Sequence, residues 1–166
     1  MLRINMRPRK VVDGIVLSVV TALLLMATAD VPAASLASSV TIPVAGTVNG
    51  QPESVSLSGS LRIGSTVTSD PLTDDSIRER LVLKLVNVSG VGLTSGAKYV
   101  AAGENTMMRL GAASDQFEVT FPFFRDTPDG PLSARSATVS ISLKLDLLTG
   151  SITAATASIS TPKLAG

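Results

Sequence analysis

Cysteine, histidine and tryptophan are all missing from this chain of 166 residues. Without cysteine there are no disulfides, no thiolate nucleophile, no Cys-ligated metal and no lipid attached through an N-terminal cysteine. Without histidine the commonest general base and the commonest metal ligand are gone, and with them the Ser-His-Asp and Cys-His catalytic arrangements. A Ser-Lys pair would have to use Lys84, Lys98 or Lys144, but no serine sits in a GxSxG context and Lys144 falls on the polar face of a regular strand pattern. Paired acids for glycoside hydrolysis usually work beside an aromatic floor, and Tyr99 is the single tyrosine. The expectation is a protein that is not an enzyme.

Charge is scarce as well, at 16% of residues against about a quarter in ordinary soluble domains. Four of the 14 basic residues lie in the first 33, where Arg3, Arg7, Arg9 and Lys10 precede an apolar stretch from Gly14 to Ala27 and small-residue sites at Ala33 and Ala37. That order of parts is an export signal, with cleavage expected near Ala33 or alternatively Ala37. The apolar run is shorter than the ~20 residues a bilayer core requires, so membrane attachment is expected only if the signal stays uncleaved. Removing residues 1–33 leaves 10 basic and 11 acidic side chains, a formal charge of −1. A chain with that balance, no tryptophan and one tyrosine has neither the phosphate-neutralising field nor the stacking surfaces of a nucleic-acid binder. The expected location is the periplasm or extracellular space, in a bacterial setting.

What remains, residues 34–166, is expected to be one domain and is dominated by period-2 alternation, the mark of strands with one buried face. From Glu53 to Thr68, Val55, Leu57, Leu61, Ile63 and Val67 share a face, with Gly59 and Ser65 interrupting it as a bulge or bend. Ala137, Val139, Ile141, Leu143, Leu145 and Leu147 do the same in a second run. Asn49-Gly50 and Thr149-Gly150 are hairpin signals: the first joins a strand at Thr41 to Val48 to the Glu53 run, the second joins Ala137–Leu147 to Ser151–Ser160. Further short strands are expected at Lys98 to Ala102 and Asn105 to Leu110, and a single helical turn at Thr73 to Arg80. Leu81 to Val88 carries apolar residues on both faces, which suits a central strand or one whose second face meets a partner, including a second copy of the chain. About seven short strands with hairpin turns predict an all-β fold, an antiparallel two-sheet sandwich of immunoglobulin-like or jelly-roll topology, with a closed barrel as the other solution.

All four phenylalanines lie in the stretch FEVTFPFF, residues 117–124. At strand spacing Phe117, Val119, Phe121 and Phe123 share one face, and they are expected to fill the core, because the other strands offer only aliphatic side chains. Phe124 is out of phase, Arg125 follows it, and Pro122 cannot donate a ladder hydrogen bond, so Pro122, Phe124 and Arg125 form the candidate partner-binding patch on an edge strand. No catalytic residue or cofactor is expected. Calcium is the one metal the loops suit, through Asp70, Asp74 and Asp75 or through Asp126 and Asp129, although neither set has EF-hand spacing. These features predict an exported, non-enzymatic interaction or structural module with a protein or envelope partner. The alternative is a barrel-like carrier of a hydrophobic small molecule.

Overall fold

A computed structural model describes residues 35–68 and 77–163. The expected signal segment and the loop aspartates Asp70, Asp74 and Asp75 lie outside those residues. The described chain is all-β: β1 (Ser35–Val48), β2 (Val55–Thr68), β3 (Arg78–Gly92), β4 (Lys98–Ala101), β5 (Glu104–Leu110), β6 (Ser114–Arg125), β7 (Arg135–Asp146) and β8 (Ser151–Ser160). A short 3-10 turn at Gly130–Ser133 is the one other regular element among the described residues.

Every strand up to β4 pairs antiparallel with the one before it, and β6, β7 and β8 continue the meander from β4. The ring then closes by pairing of β8 with β1. The result is a barrel with a seven-strand wall, β1-β2-β3-β4-β6-β7-β8, and not the expected sandwich. Alternation could not separate the two, because the inside of a barrel and the inner face of a sandwich have the same period. What decides it is connectivity. Apart from β5, which lies against β3, each strand neighbours the next along the chain, so the one non-local pairing of β8 with β1 closes the ring, whereas a sandwich leaves four free edges. An up-and-down path of odd strand number brings its last strand back parallel to its first, and β1 and β8 do run parallel, meeting at Gly46↔Ile159. A Cβ on Gly46 would overlap the Ile159 carbonyl group. Glycine is what allows the closing strands to come this near.

The expected strand phases hold. Val55, Leu57, Leu61, Ile63 and Val67 of β2, Val119, Phe121 and Phe123 of β6, and Ala137, Val139, Ile141, Leu143 and Leu145 of β7 are all buried inside the ring. Leu61, Ile63, Leu81, Leu83, Leu143 and Phe123 have no accessible surface at all. A void big enough for one water would leave some, so the middle of the barrel is solid, as expected for a ring of this strand number. Outward positions of β2 and β7 are mostly serine and threonine, with Arg62 and Lys144.

Three local readings change. The β1–β2 connection is six residues long, since the ladder ends at Val48↔Val55, so Asn49-Gly50 opens a longer loop and does not make a tight turn. Arg78, Glu79 and Arg80 begin β3, where the sequence suggested the end of a helical turn; residues 73–76 of that turn fall outside the described residues. Leu81 to Val88 does carry apolar residues on both faces, Val82 and Val86 lying outward, but Val88 owes its phase to a bulge. Ser58 pairs with Ser89 but Ser60 with Val86, so β3 carries one extra residue there, and Asn87 takes a positive φ of 51°. Leu81, Leu83 and Leu85 point inward, the bulge shifts the phase, and Val88 points inward after it. Opposite the bulge, a Cβ on Gly59 would sit 2.6 Å from the Val88 Cα, so β2 has a glycine where the kinked backbone comes closest.

Candidate ligand-binding site at the lower rim of the barrel

The two rims of the barrel differ. The upper rim holds the ends of β1, β3, β6 and β8; the lower rim holds their beginnings. At the upper rim Glu53 lies two residues before Val55, in phase with the inward side of β2, and is buried. Its Oε1 accepts hydrogen bonds from the Ser95 hydroxyl at 2.6 Å and the Tyr99 hydroxyl at 3.1 Å, and lies 3.7 Å from the Arg125 guanidinium. Oε2 accepts from the backbone N–H groups of Ser95 at 2.8 Å and Thr94 at 3.1 Å. The Ser95 hydroxyl and N–H, helped by Thr94 and Tyr99, hold this carboxyl down at about 2. Arg135 stacks over the Phe123 ring at 4.8 Å and donates to the Glu53 carbonyl at 2.8 Å. One carboxylate thus ties the β1–β2 loop to the β3–β4 turn, β4 and β6. With both oxygens occupied, it is a structural knot with no capacity left for a ligand.

The expected partner patch lies beside this knot. Arg125 is exposed but reaches back to Glu53, and Phe124 is half-buried with its ring near Gly130. Pro122 is exposed, and the β4–β6 ladder stops at Ala101↔Phe123, one residue short of it. The three therefore share one strand end. Asp126 and Asp129 stand exposed in the loop after β6, and no group of three or more acidic side chains arranged for a metal ion occurs among the described residues. Of Leu81–Val88, only Val82, Lys84, Val86 and the bulged Asn87 lie off the inward face.

The lower rim is built differently. From Pro122 downward β6 has β7 on one side only, and β5 has only β3, so among the described residues no ladder joins β5 to β6 and the wall carries a slit. Side chains span it. Arg109 of β5 grips Asp115 of β6 with Nε at 2.9 Å and Nη2 at 3.1 Å, and its guanidinium lies over the Phe117 ring at 4.8 Å. Inward residues that would be sealed elsewhere are only half-buried here: Val40, Met107, Phe117, Leu147 and Ile152 pack on the core but keep some exposure.

At this rim, two residues nearer the start of β3 than Leu81 and its neighbour Met107, sits Glu79, 1% exposed and inward-facing. Its Oε1 accepts from the Ser65 hydroxyl at 3.0 Å, and its Oε2, fully buried, has no partner among the described residues. Arg109 lies directly opposite Glu79 in the β3–β5 register, but its ion pair is with Asp115. Burial pushes the Glu79 carboxyl up, and Asp115 adds to that, against the opposing pull of Ser65 and Arg109. A buried oxygen without a partner costs roughly 1–3 kcal/mol. Such a group is rare in a settled core and more frequent where something else is to be bound.

Neither glutamate belongs to a recognisable sequence motif, yet both leave a signal. Each lies two residues before the first inward aliphatic of its strand, Glu53 before Val55 and Glu79 before Leu81, and so carries charge in an apolar phase. Ser65, which interrupts the inward face of β2, marks Glu79's partner. Comparison with protein-family models, curated proteins and solved structures finds no significant match to this chain.

Proposed function

We propose that the protein is an exported, non-enzymatic barrel that carries an apolar small molecule at its lower rim. The observation that carries this reading is the half-buried apolar mouth, Val40, Met107, Phe117, Leu147 and Ile152, beside a slit that has side chains across it but no backbone ladder. A solid middle supports a ligand held in the mouth and against Phe117 over one held along the axis. The polar outer faces support a water-facing barrel, since a membrane-spanning one is apolar outside. The export signal and the missing histidine and cysteine support the location and the non-enzymatic character.

Native mass spectrometry of protein purified from its source tests the reading. A 1:1 small-molecule adduct released by organic solvent is expected. Ligand-free protein that also fails to take up a neutral apolar fluorophore would overturn it.

A further inference from the structure

Resting on the carrier reading, we infer that the ligand of this barrel is an amphiphile with a protonated amine, its ammonium group bound by Glu79 and its apolar body lying along Phe117 and Met107. Three observations select that chemistry. The first is the orphaned Oε2 of Glu79, a buried acceptor with no donor among the described residues. The second is the local charge balance. Among the described residues Glu79 and Asp115 share one neighbouring cation, Arg109, and Arg109 makes both of its short polar contacts with Asp115. A second cation is what this cluster lacks, and a carboxylate ligand would add to the repulsion. The third is placement: Glu79 sits across β3–β5 from Arg109, whose guanidinium covers Phe117, so rotation of one flexible side chain joins the apolar mouth to the carboxyl. An ammonium entering there gains charge-assisted hydrogen bonds to Oε2 while its chain replaces the guanidinium on the ring.

The test uses the full chain, with N-phenyl-1-naphthylamine as a neutral fluorescent occupant and octylammonium, octanol and octanoate as competitors of equal chain length. Octylammonium is expected to displace the fluorophore at concentrations at least about tenfold below octanol, with octanoate weakest. In Glu79→Gln the fluorophore should still bind and the amine preference should vanish. Asp115→Asn gives an independent check that leaves Glu79 in place: Arg109, freed to turn toward the carboxyl opposite, should compete with the ammonium and reduce the preference several-fold. Equal displacement by octylammonium and octanol in the parent chain, or an amine preference that survives in Glu79→Gln, overturns the inference while the carrier reading stands. Absence of saturable fluorophore binding overturns the carrier reading itself.

Discussion

Glu53 and Glu79 stand in the same relation to their strands and have opposite surroundings. Each is an inward carboxyl at the start of a strand that turns aliphatic two residues later. Glu53 meets two backbone N–H groups, two hydroxyls and a guanidinium, and is stabilised as an anion; Glu79 meets one hydroxyl, and burial drives it toward the neutral form. The difference teaches that burial alone does not decide what an inward charge does in a barrel. The donors within reach decide: Glu53 has them from the β3–β4 turn and β4, whereas among the described residues Glu79 has the Ser65 hydroxyl.

That contrast can be broken most forcefully at Glu53. Glu53→Ala strands the Thr94 and Ser95 donors and the Tyr99 hydroxyl, and a fall in melting temperature of roughly 10 °C is expected by calorimetry. Gly92→Ala attacks the same knot from the other side. A Cβ there would overlap the Glu53 carboxylate, and a loss of about 1–3 kcal/mol is expected from denaturant titration. At the lower rim the sign reverses: Glu79→Met removes an orphaned buried oxygen and should raise stability at neutral pH by about 1 kcal/mol.

The pH profile sharpens the same comparison. Glu53 has a folded value of about 2 against an ordinary 4.5, so its contribution is present above 4.5 and is lost as pH falls from there toward 2. Glu79, raised above 4.5, has the opposite profile: its contribution is complete below 4.5 and is lost as pH rises through its folded value. Glu53→Gln should therefore flatten the acid limb of stability against pH, and Glu79→Gln the limb above 4.5. The smallest effect is expected from Arg109→Lys, which keeps the charge but loses the two-pronged grip on Asp115 and the stack on Phe117, at under about 1 kcal/mol.

Much of the wall was legible in the sequence and its closure was not. The phases of β2, β6 and β7, the core role of Phe121 and Phe123, and the hairpins β1–β2 and β7–β8 all follow from alternation and turn residues. Gly150, for example, takes the expected left-handed φ of 65°. Alternation reports which side of a strand is dry. It does not report whether the dry side faces a second sheet or the far wall of its own. The information that settles it lies in Gly46, which lets β8 approach β1, and in the Gly59/Asn87 bulge that bends the wall. Each is a single residue whose meaning depends on a partner far away in sequence. The site was half legible. Ser65 was visible as an interruption, but Glu79 was hidden in an acidic-to-basic run that imitates a helical turn, and only its phase with Leu81, Leu83 and Leu85 betrays it.

The parallel meeting of β1 with β8 has a practical corollary for anyone re-engineering the chain. In an even-stranded meander the two ends emerge on one rim and a short linker can join them. Here Ser35 and Ser160 lie at opposite rims, so a circularly permuted version needs a linker that climbs the outer wall, about 10 or more extended residues. A tag following β8 points away from the mouth, whereas a fusion placed just ahead of β1 emerges beside it.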